Sequence, residues 1–277
     1  MIELVNLTKK YGKKIALDRI TAKIDKGIVG VIGPNGAGKS TLFGVLAGVL
    51  NYEGECKIFE IECRNTKKVH QIASFSLDNP YFPNVKVKDL LQLAGVDKEI
   101  MSEFQAEELL NKNFNSLSMG QMKIVTLAIA LGKDADVYIL DEPTANLDVD
   151  KRDIFYRLLL KKAKNIVISS HELSEISNIL NKALIIRNGK ILFNGTLQEL
   201  IQKYKNTFVI KTDTPDMIRK IFGDNASVFG NLVIIEGLSS IDEVWEKLKK
   251  YDVNNHIFGV EKADLNIIYR RMVNDNI

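Results

Sequence analysis

The stretch Ile28–Thr41, IVGVIGPNGAGKST, joins a short apolar run to a glycine-rich loop. Its first part, Ile28 to Gly33, has the length and the β-branched residues of a buried strand. The segment from Lys39 to Leu50, KSTLFGVLAGVL, has the composition of a helix that begins directly after the loop. A strand, a glycine-rich loop and a helix in this order predict an α/β unit whose loop points backbone N–H groups at an anion.

The loop matches the pattern G-x-x-x-x-G-K-[ST] at every fixed position from Gly33 to Ser40. Lys39 is placed to reach the β- and γ-phosphates of a nucleotide, and the Ser40 hydroxyl to ligate Mg²⁺. A chance match in a chain of this length is on the order of one in a hundred, so we expect nucleotide binding. The expected binding residues are Gly33, Asn35, Gly36, Ala37, Gly38, Lys39, Ser40 and Thr41.

Two adjacent acids, Asp141 and Glu142, end a second buried run, VYILDEP. Adjacent residues on a strand point in opposite directions, so we expect the two carboxylates to have different roles. Beside a phosphate loop, Asp141 could complete the Mg²⁺ ligands while Glu142 polarises an attacking water molecule. A solvated strand end is the alternative for the acids alone, and their occurrence together with the loop favours the functional interpretation.

A third apolar run, NIVISSHE, contains His171 directly after its strand-like part. At the same sheet edge as the acids, the imidazole could hydrogen-bond the γ-phosphate or the attacking water. A lone histidine is more often structural than catalytic, so this residue by itself is a weak signal.

Short β-rich runs alternate with helical patterns up to about residue 204, which predicts a sheet covered by helices. Asn188-Gly189, between β-branched runs, predicts a hairpin. Further along, three strand-like runs, TFVIKTD, NLVIIEG and HIFGVE, alternate with helical patterns. We therefore expect one domain over 1–204 and a small α+β domain over 205–277, whose sequence carries no recognisable chemistry.

Composition excludes several classes of function. With 277 residues, a net charge of +3 and a pI near 8.6, the chain is too weakly basic to indicate a nucleic-acid surface. Cys56 and Cys63 lack the spacing of a zinc site and are expected to be free thiols in a reducing compartment. The N-terminus has no secretory pattern, and the longest apolar runs fall short of the roughly 20 residues that cross a bilayer. Any role at a membrane is therefore expected to be that of a peripheral subunit.

The motifs together resemble those of the nucleotide-binding subunits of ATP-binding cassette (ABC) transporters, over about residues 1–204. The phosphate loop resembles the Walker A motif, VYILDEP the Walker B motif, and LSMGQ (Leu117–Gln121) the family signature LSGGQ. ANLD, ending at Asp148, is similar to the D-loop, and SSHE to the switch-histidine motif. Tyr11 is similar to the aromatic residue that stacks on adenine. Because these motifs occur in the family's order, the resemblance is far more specific than a phosphate loop alone.

The resemblance implies a fold and a set of ligands. The fold is an α/β P-loop NTPase of the ABC type, with a mixed or parallel sheet core, an antiparallel β subdomain and a helical subdomain over about 84–132. The implied ligands are ATP and Mg²⁺, with Ser40 and Asp141 on the metal. Glu142 would be the general base, and His171 would help to hold the γ-phosphate and the water.

The resemblance also implies that two such subunits, identical or different, pack head to tail around ATP. Each ATP would lie between the Walker motifs of one subunit and the signature of the other, which here is Leu117, Ser118, Met119, Gly120 and Gln121. Ser118 and Gly120 would contact the γ-phosphate, and Asp148 would contact the other subunit. Closure on ATP and opening after hydrolysis would drive a separate transmembrane permease from the cytoplasmic face of the membrane.

Two positions depart from the family pattern. Where the family has a glutamine that ligates Mg²⁺ and senses the membrane subunit, an alignment without a gap places Leu77, which has no oxygen ligand. Asp78, one residue later, could replace it because a carboxylate is a good ligand for Mg²⁺. Met119 replaces the first signature glycine and is expected to be tolerated, since Ser118 and Gly120 remain.

The segment between Asn84 and Leu117 is short for the family's helical subdomain. Together with the small C-terminal domain, this favours the exporter-type subclass, whose membrane subunits are separate chains. One alternative is a soluble ABC ATPase of DNA repair, chromosome organisation or translation, but the chain has neither an inserted coiled coil nor a second cassette. Another is a regulatory ATP-binding subunit with weak hydrolysis, which Leu77 favours and which Glu142 and His171 oppose.

Overall fold

The computed structural model describes residues 1–77, 82, 84–171, 173–251 and 253–274, the side chains of residues 254 and 274 excepted. By packing, the chain forms two compact units. The first consists of residues 1–171 and 178–194, and the second of the described residues within 172–177 and 195–277. The division thus falls before residue 195, and the domain boundary expected at 204/205 stays a prediction.

Strands and helices alternate through the first part of the chain, as the sequence patterns predict. In chain order the elements are β1 (Ile2–Tyr11), β2 (Lys14–Ile24), β3 (Ile28–Ile32), α1 (Lys39–Leu46), β4 (Glu53–Ile58), β5 (Ile61–Glu62), α2 (Thr66–Ile72), β6 (Ala73–Ser76), α3 (Val87–Leu93), α4 (Lys98–Glu103), 3-10 turns at Ala106–Leu109 and Phe114–Ser116, α5 (Met119–Gly132), β7 (Val137–Leu140), α6 (Val149–Lys162), β8 (Ile166–Ser170), α7 (Leu173–Ile176), β9 (Lys182–Arg187) and β10 (Lys190–Thr196). The segment expected as a helical subdomain contains α3, α4, both 3-10 turns and α5.

The central sheet of the first unit has the strand order β10-β9-β3-β8-β7-β6. Strands β9, β3, β8, β7 and β6 pair in parallel, so their carboxyl ends lie at one edge. A second sheet, of order β2-β1-β4-β5, is antiparallel. The predicted combination of a mainly parallel core sheet, an antiparallel sheet and a helical segment is therefore confirmed.

An apolar cluster joins the two sheets of this unit to α1. Leu42 and Phe43 of α1 are fully buried in a cluster that also contains Val31 of β3, Ile139 of β7 and Leu7 of β1. Because α1 begins directly at the end of the phosphate loop, this burial fixes the loop against the sheet.

Helix α1 ends earlier than the sequence predicts. The helical run was expected to extend to Leu50, but the last helical residue is Leu46. Gly48 has φ 72°, and a Cβ at this position would lie 2.5 Å from the carbonyl oxygen of Cys63. The left-handed backbone of Gly48 ends the helix, and the carbonyl group of Cys63, directly after β5, leaves no room for a side chain at this position.

The second unit contains a four-stranded antiparallel sheet. Its elements are α8 (Leu197–Lys203), β11 (Thr207–Thr212), α9 (Pro215–Phe222), a 3-10 turn at Gly223–Asn225, β12 (Ala226–Phe229), β13 (Leu232–Glu236), α10 (Ile241–Leu248), a 3-10 turn at Asn254–His256, β14 (Ile257–Lys262) and α11 (Leu265–Asn274). The order β12-β13-β11-β14, with α9 and α10 as crossovers, is the split βαβ arrangement of ferredoxin-like folds. The prediction of three strands was incomplete, since it missed β12, which is only four residues long and mostly half-exposed.

The two cysteines lie opposite each other on the β4–β5 hairpin. Both are free and buried, and their Sγ atoms form a thiol–thiol hydrogen bond of 2.8 Å. The hydrogen bond to Cys63 and the burial raise the pKa of the Cys56 thiol well above its usual range. Because the thiolate is the reactive form, the raised pKa makes Cys56 a poor nucleophile, and burial shields both sulfur atoms from reagents.

We predict that the native protein protects both thiols from a water-soluble disulfide reagent such as dithionitrobenzoate. Modification in the folded state should be at least about tenfold slower than that of a free thiol at the same pH, because both sulfur atoms are buried and the pKa of Cys56 is raised. Guanidinium should expose both thiols to rapid reaction. Native modification of either cysteine at the rate of glutathione would contradict the buried, protonated arrangement.

Candidate nucleotide-binding site

The phosphate loop connects β3 to α1 and approaches neighbouring backbone closely. A Cβ on Gly38, whose φ is 112°, would lie 2.6 Å from the carbonyl oxygen of Ala16 on β2. A Cβ on Gly33 would lie 2.3 Å from the carbonyl oxygen of Ile186 on β9. Side chains at these two positions would clash with backbone, so the loop conformation requires glycine at both.

The loop borders an open cleft of about 180 Å³. Most of the residues expected to bind nucleotide line it, together with two residues of β2 that the sequence did not point to. The lining residues are Tyr11, Lys14, Ala16, Asn35, Gly36, Gly38, Lys39, Ser40, Thr41 and Glu142. The cleft is lined by residues from the loop, the start of α1, the β1–β2 strands and the end of β7, and it places a half-exposed tyrosine near one side.

The Lys39 ammonium lies beneath the loop and is surrounded by oxygen atoms. It donates hydrogen bonds to the carbonyl oxygens of Gly33, at 2.7 Å, and of Pro34, at 3.3 Å. Its Nζ is 3.2 Å from Oε1 of Glu142, and the lysine side chain is only 4% exposed. A buried ammonium needs such partners, and here they bring the loop and the end of β7 together.

Asp141 and Glu142 are separated into different environments, as their adjacency predicts. Asp141 is buried and accepts a 2.6 Å hydrogen bond from Ser169 Oγ on β8. The same hydroxyl accepts a 2.7 Å hydrogen bond from the Glu142 backbone N–H. Glu142 has φ 42°, which is uncommon for a residue other than glycine and costs about 1–3 kcal/mol. The local strain turns its carboxylate out of the strand and towards the cleft.

His171 follows β8, which lies between β3 and β7 in the sheet. Its Nδ1 is 3.9 Å from Oε2 of Glu142, and the side chain is half exposed. The imidazole therefore lies at the sheet edge that also carries the phosphate loop and the acids. It is near Oε2 of Glu142, whereas Lys39 contacts Oε1.

The LSMGQ segment begins helix α5 and does not line the cleft of its own chain. Ser118 is the N-cap: its hydroxyl accepts the Gln121 N–H, and the Gln121 side chain accepts the Ser118 N–H. Leu117 is buried, whereas the Met119 side chain is 64% exposed. The segment thus presents a capped helix N-terminus and one exposed apolar side chain to solvent.

The D-loop lies beside this helix start. A Cβ on Gly120 would be 2.9 Å from the carbonyl oxygen of Asn146, so glycine permits the close contact. Asp148 is exposed and caps α6 by accepting the Lys151 N–H at 2.8 Å. The structure therefore groups the signature and the D-loop together, apart from the residues of the chain's own cleft.

Ala37 and Leu77, which the sequence also singled out, are not among the residues that line the cleft. Ala37 is buried within the loop. Leu77 is partly buried and packs against the apolar core of the first unit. Asp78 lies outside the described residues. Among the residues that the structure describes, no three His, Cys, Asp or Glu side chains are grouped as metal ligands.

Sequence reasoning missed Ser169, although a signal for it existed. Ser169 stands two residues before His171, and alternation along a strand predicts that it shares a face of the sheet with Val167 of the core. In the sheet, β8 lies beside β7, so the Ser169 hydroxyl at the carboxyl end of β8 is next to the acids that follow β7. Lys14 and Ala16 could be found only from the pairing of β1 with β2.

Comparisons with known proteins place this fold and site in one family. The model of the family described as ABC transporter matches residues 17–145. A xylose import ATP-binding protein of Histophilus somni is 31% identical over 98% of this chain, which spans 56% of that protein. An uncharacterised ABC transporter ATP-binding protein of Methanocaldococcus jannaschii is 30% identical over 79% of this chain and 86% of its own length.

A solved structure supports the fold. A dimeric bacterial ABC transporter cassette superposes with a TM-score of 0.62, covering 71% of this chain and 99% of its own, at 22% identity. At that identity the likeness concerns the fold alone. The sequence relatives carry the assignment further, and the motifs indicated the same conclusion: the chain belongs to the ATP-binding proteins of the ABC transporter family.

Proposed function

We propose that this chain binds MgATP in the described cleft and hydrolyses it while bridged by ATP to a second ABC subunit, so powering a separate membrane permease. The observation that carries the proposal is the meeting of Lys39, Glu142 and His171 at one edge of the parallel sheet. A cation for phosphate, a carboxylate for water and an imidazole beside it are the groups that phosphoryl transfer to water requires.

Nucleotide binding rests on the loop and on Lys39. The Lys39 ammonium already lies within 3.3 Å of two loop carbonyl oxygens and of Glu142, so its position at the floor of the loop is set before a phosphate arrives. Charge-assisted hydrogen bonds to phosphate oxygens would be stronger than those to carbonyl oxygens. Tyr11, half exposed at the side of the cleft, offers a ring face for adenine.

The donor set fits Mg²⁺ bound together with phosphate. Mg²⁺ in nucleotide sites takes one or two protein oxygens, with phosphates and water completing its octahedron. Ser40, exposed at the start of α1, and Asp141, held by Ser169, supply these two oxygens. Asp78 stays a proposal for a third. The metal would neutralise charge on the β- and γ-phosphates.

Glu142 is the proposed general base. Its strained backbone turns the carboxylate into the cleft, where one oxygen faces Lys39 and the other faces His171. Binding of phosphate at Lys39 would release the first oxygen to orient a water molecule. His171 would hold the γ-phosphate and the water from the neighbouring strand.

The Glu142→Gln variant tests this proposal. We expect it to bind ATP with unchanged affinity, to lose at least about 10²-fold in kcat, since general base catalysis contributes that much, and to accumulate as an ATP-bound dimer. Equilibrium binding, phosphate release and sedimentation measure the three quantities. Lys39→Ala is the control and should lose ATP binding. Hydrolysis by Glu142→Gln at the parent rate would show that Glu142 is not the base.

The LSMGQ signature is the proposed contact with the second subunit. The Ser118 hydroxyl accepts one hydrogen bond within its own helix and still has its proton to donate. Helix α5 is fourteen residues long, and its N-terminus carries partial positive charge beside an exposed Met119. This surface suits the γ-phosphate of an ATP held by another subunit, with Asp148 of the neighbouring D-loop at the same interface.

A pair of serine variants separates the cap from the phosphate contact. Ser118 and Ser240 are both N-caps that accept the N–H three residues on, so Ser→Ala should cost each helix about 1 kcal/mol of stability. We expect Ser118→Ala alone to reduce ATPase activity and ATP-dependent dimerisation, with ATP binding by the monomer unchanged. Thermal unfolding, ATPase rates and sedimentation provide the readouts. Equal ATPase rates for the two variants would contradict the assignment of Ser118.

A membrane partner follows from the family. Within the described residues, no helix has the length and apolarity to cross a bilayer. From the family we propose a location at the cytoplasmic face of the membrane, on permease subunits encoded as separate chains. The short helical segment and the small C-terminal unit favour export as the direction, whereas the name of the Histophilus somni relative concerns import of xylose by that protein.

The direction can be measured once a permease co-purifies with the chain. In proteoliposomes with the cassette side outward, ATP added outside should drive the transported compound into the lumen if the complex exports. The Glu142→Gln complex is the control and should transport nothing. ATP-driven loss of the compound from preloaded vesicles would show import instead.

A further inference from the structure

A polar seam lies between the signature helix α5 and strand β6. Ser74 Oγ on β6 donates a 2.7 Å hydrogen bond to the carbonyl oxygen of Ala130 on α5, so this face of the strand packs against the helix. Lys123 lies two helical turns before Ala130, on the same side of α5. Its side chain is 7% exposed, which is uncommon for a lysine.

The buried Lys123 ammonium reaches the backbone that carries the two acids. Its Nζ is 3.5 Å from the carbonyl oxygen of Asp141, at the outer limit of a hydrogen bond. The backbone N–H of Asp141 donates a 2.7 Å hydrogen bond to the carbonyl oxygen of Ser76 on β6. The peptide groups on both sides of Asp141 are thus held by two different elements, a strand and the signature helix.

The carbonyl oxygen that Lys123 contacts belongs to the peptide bond between Asp141 and Glu142. The N–H of the same peptide bond donates to Ser169 Oγ at 2.7 Å. Lys123 and Ser169 therefore fix the two ends of one peptide plane, and the direction of the Glu142 carboxylate follows from that plane. Since Glu142 has a strained φ of 42°, its backbone needs such support from its surroundings.

We propose that Lys123 is a positioning residue that sets the Asp141–Glu142 peptide and couples it to the signature helix. The inference rests on the proposed function. Ser118 would contact the ATP of the other subunit, and Glu142 would act on the ATP of its own. Lys123, five positions after Ser118 on a rigid helix, links the two within one chain. A shift of α5 on closure around the second ATP would move the base of the first site.

A lysine with a purely structural role would give different results in the two measurements below. Lys133 provides the matched case: it follows α5 and donates to the carbonyl oxygens of His70 on α2 and of Ala73, the first residue of β6. Both lysines thus join α5 to backbone carbonyl oxygens of the sheet, but only Lys123 does so at the acids. Lys123→Met and Lys133→Met keep the aliphatic stem and remove the charge in both places.

The first measurement is amide hydrogen exchange of the full chain without nucleotide. We expect Lys123→Met to raise exchange of the Glu142 N–H at least about tenfold, because that amide opens locally, while amides in the middle of α5 stay protected. Lys123→Arg should restore much of the protection. Lys133→Met should leave the Glu142 amide unchanged. Unaltered exchange at Glu142 in Lys123→Met overturns the proposal whether or not the chain hydrolyses ATP.

The second measurement separates binding from hydrolysis. Lys123→Met should lower kcat about tenfold or more and leave the ATP dissociation constant within about twofold of the parent, since the phosphate loop is untouched. Lys123→Arg should recover part of kcat, and Lys133→Met should keep the parent kcat. A parent protein without ATPase activity would refute the proposed function, and the exchange measurement would still decide the role of Lys123. An equal fall in kcat for both methionine variants would overturn the positioning role.

Discussion

The parallel alignment of β3, β8 and β7 is the constraint on which the site depends. The carboxyl ends of these adjacent strands carry the phosphate loop, His171 and the acidic pair. Register brings them to one edge, where Lys39 of the loop and His171 contact opposite oxygens of Glu142. Burial of α1 against the same sheet then fixes the position of the loop at that edge.

Several polar groups in this fold serve local structure and remain available for function. Ser118 and Asp148 each cap a helix within the chain, yet both side chains are exposed and keep unused hydrogen-bonding capacity. Such caps fix the direction of the side chain before a partner is present, which lowers the entropy cost of recognition. The capping box at Ser118 is therefore a stable helix start, and under the proposed function it would also orient the hydroxyl for an anion.

The parts of the site that the sequence predicts are those encoded locally. The phosphate loop, the acidic pair and His171 each follow a recognisable strand, and the parallel sheet then determines where they meet. Ser169 stands within the SSHE stretch, but its hydrogen bond to Asp141 depends on which strand packs beside β7. Lys123 lies outside the motifs, and its contact depends on which helix packs there. The end of α1 was misplaced for a local reason: Val49 and Leu50 continue the apolar composition, but Gly48 already ends the helix in the left-handed conformation.

Leu77 limits how the end of β6 can contact the acids that follow β7. Its side chain packs against the apolar core, so this position anchors the end of β6 by burial and has no polar group to extend toward Mg²⁺. The preceding residue, Ser76, still touches the site through its carbonyl oxygen, which accepts the Asp141 N–H. A movement of β6 would therefore shift Asp141 through its hydrogen bond to the Ser76 carbonyl oxygen. A movement of α5 would shift it through Lys123. With a leucine at position 77, these two links to Asp141 join β6 and α5 to the acids without a polar side chain at that position.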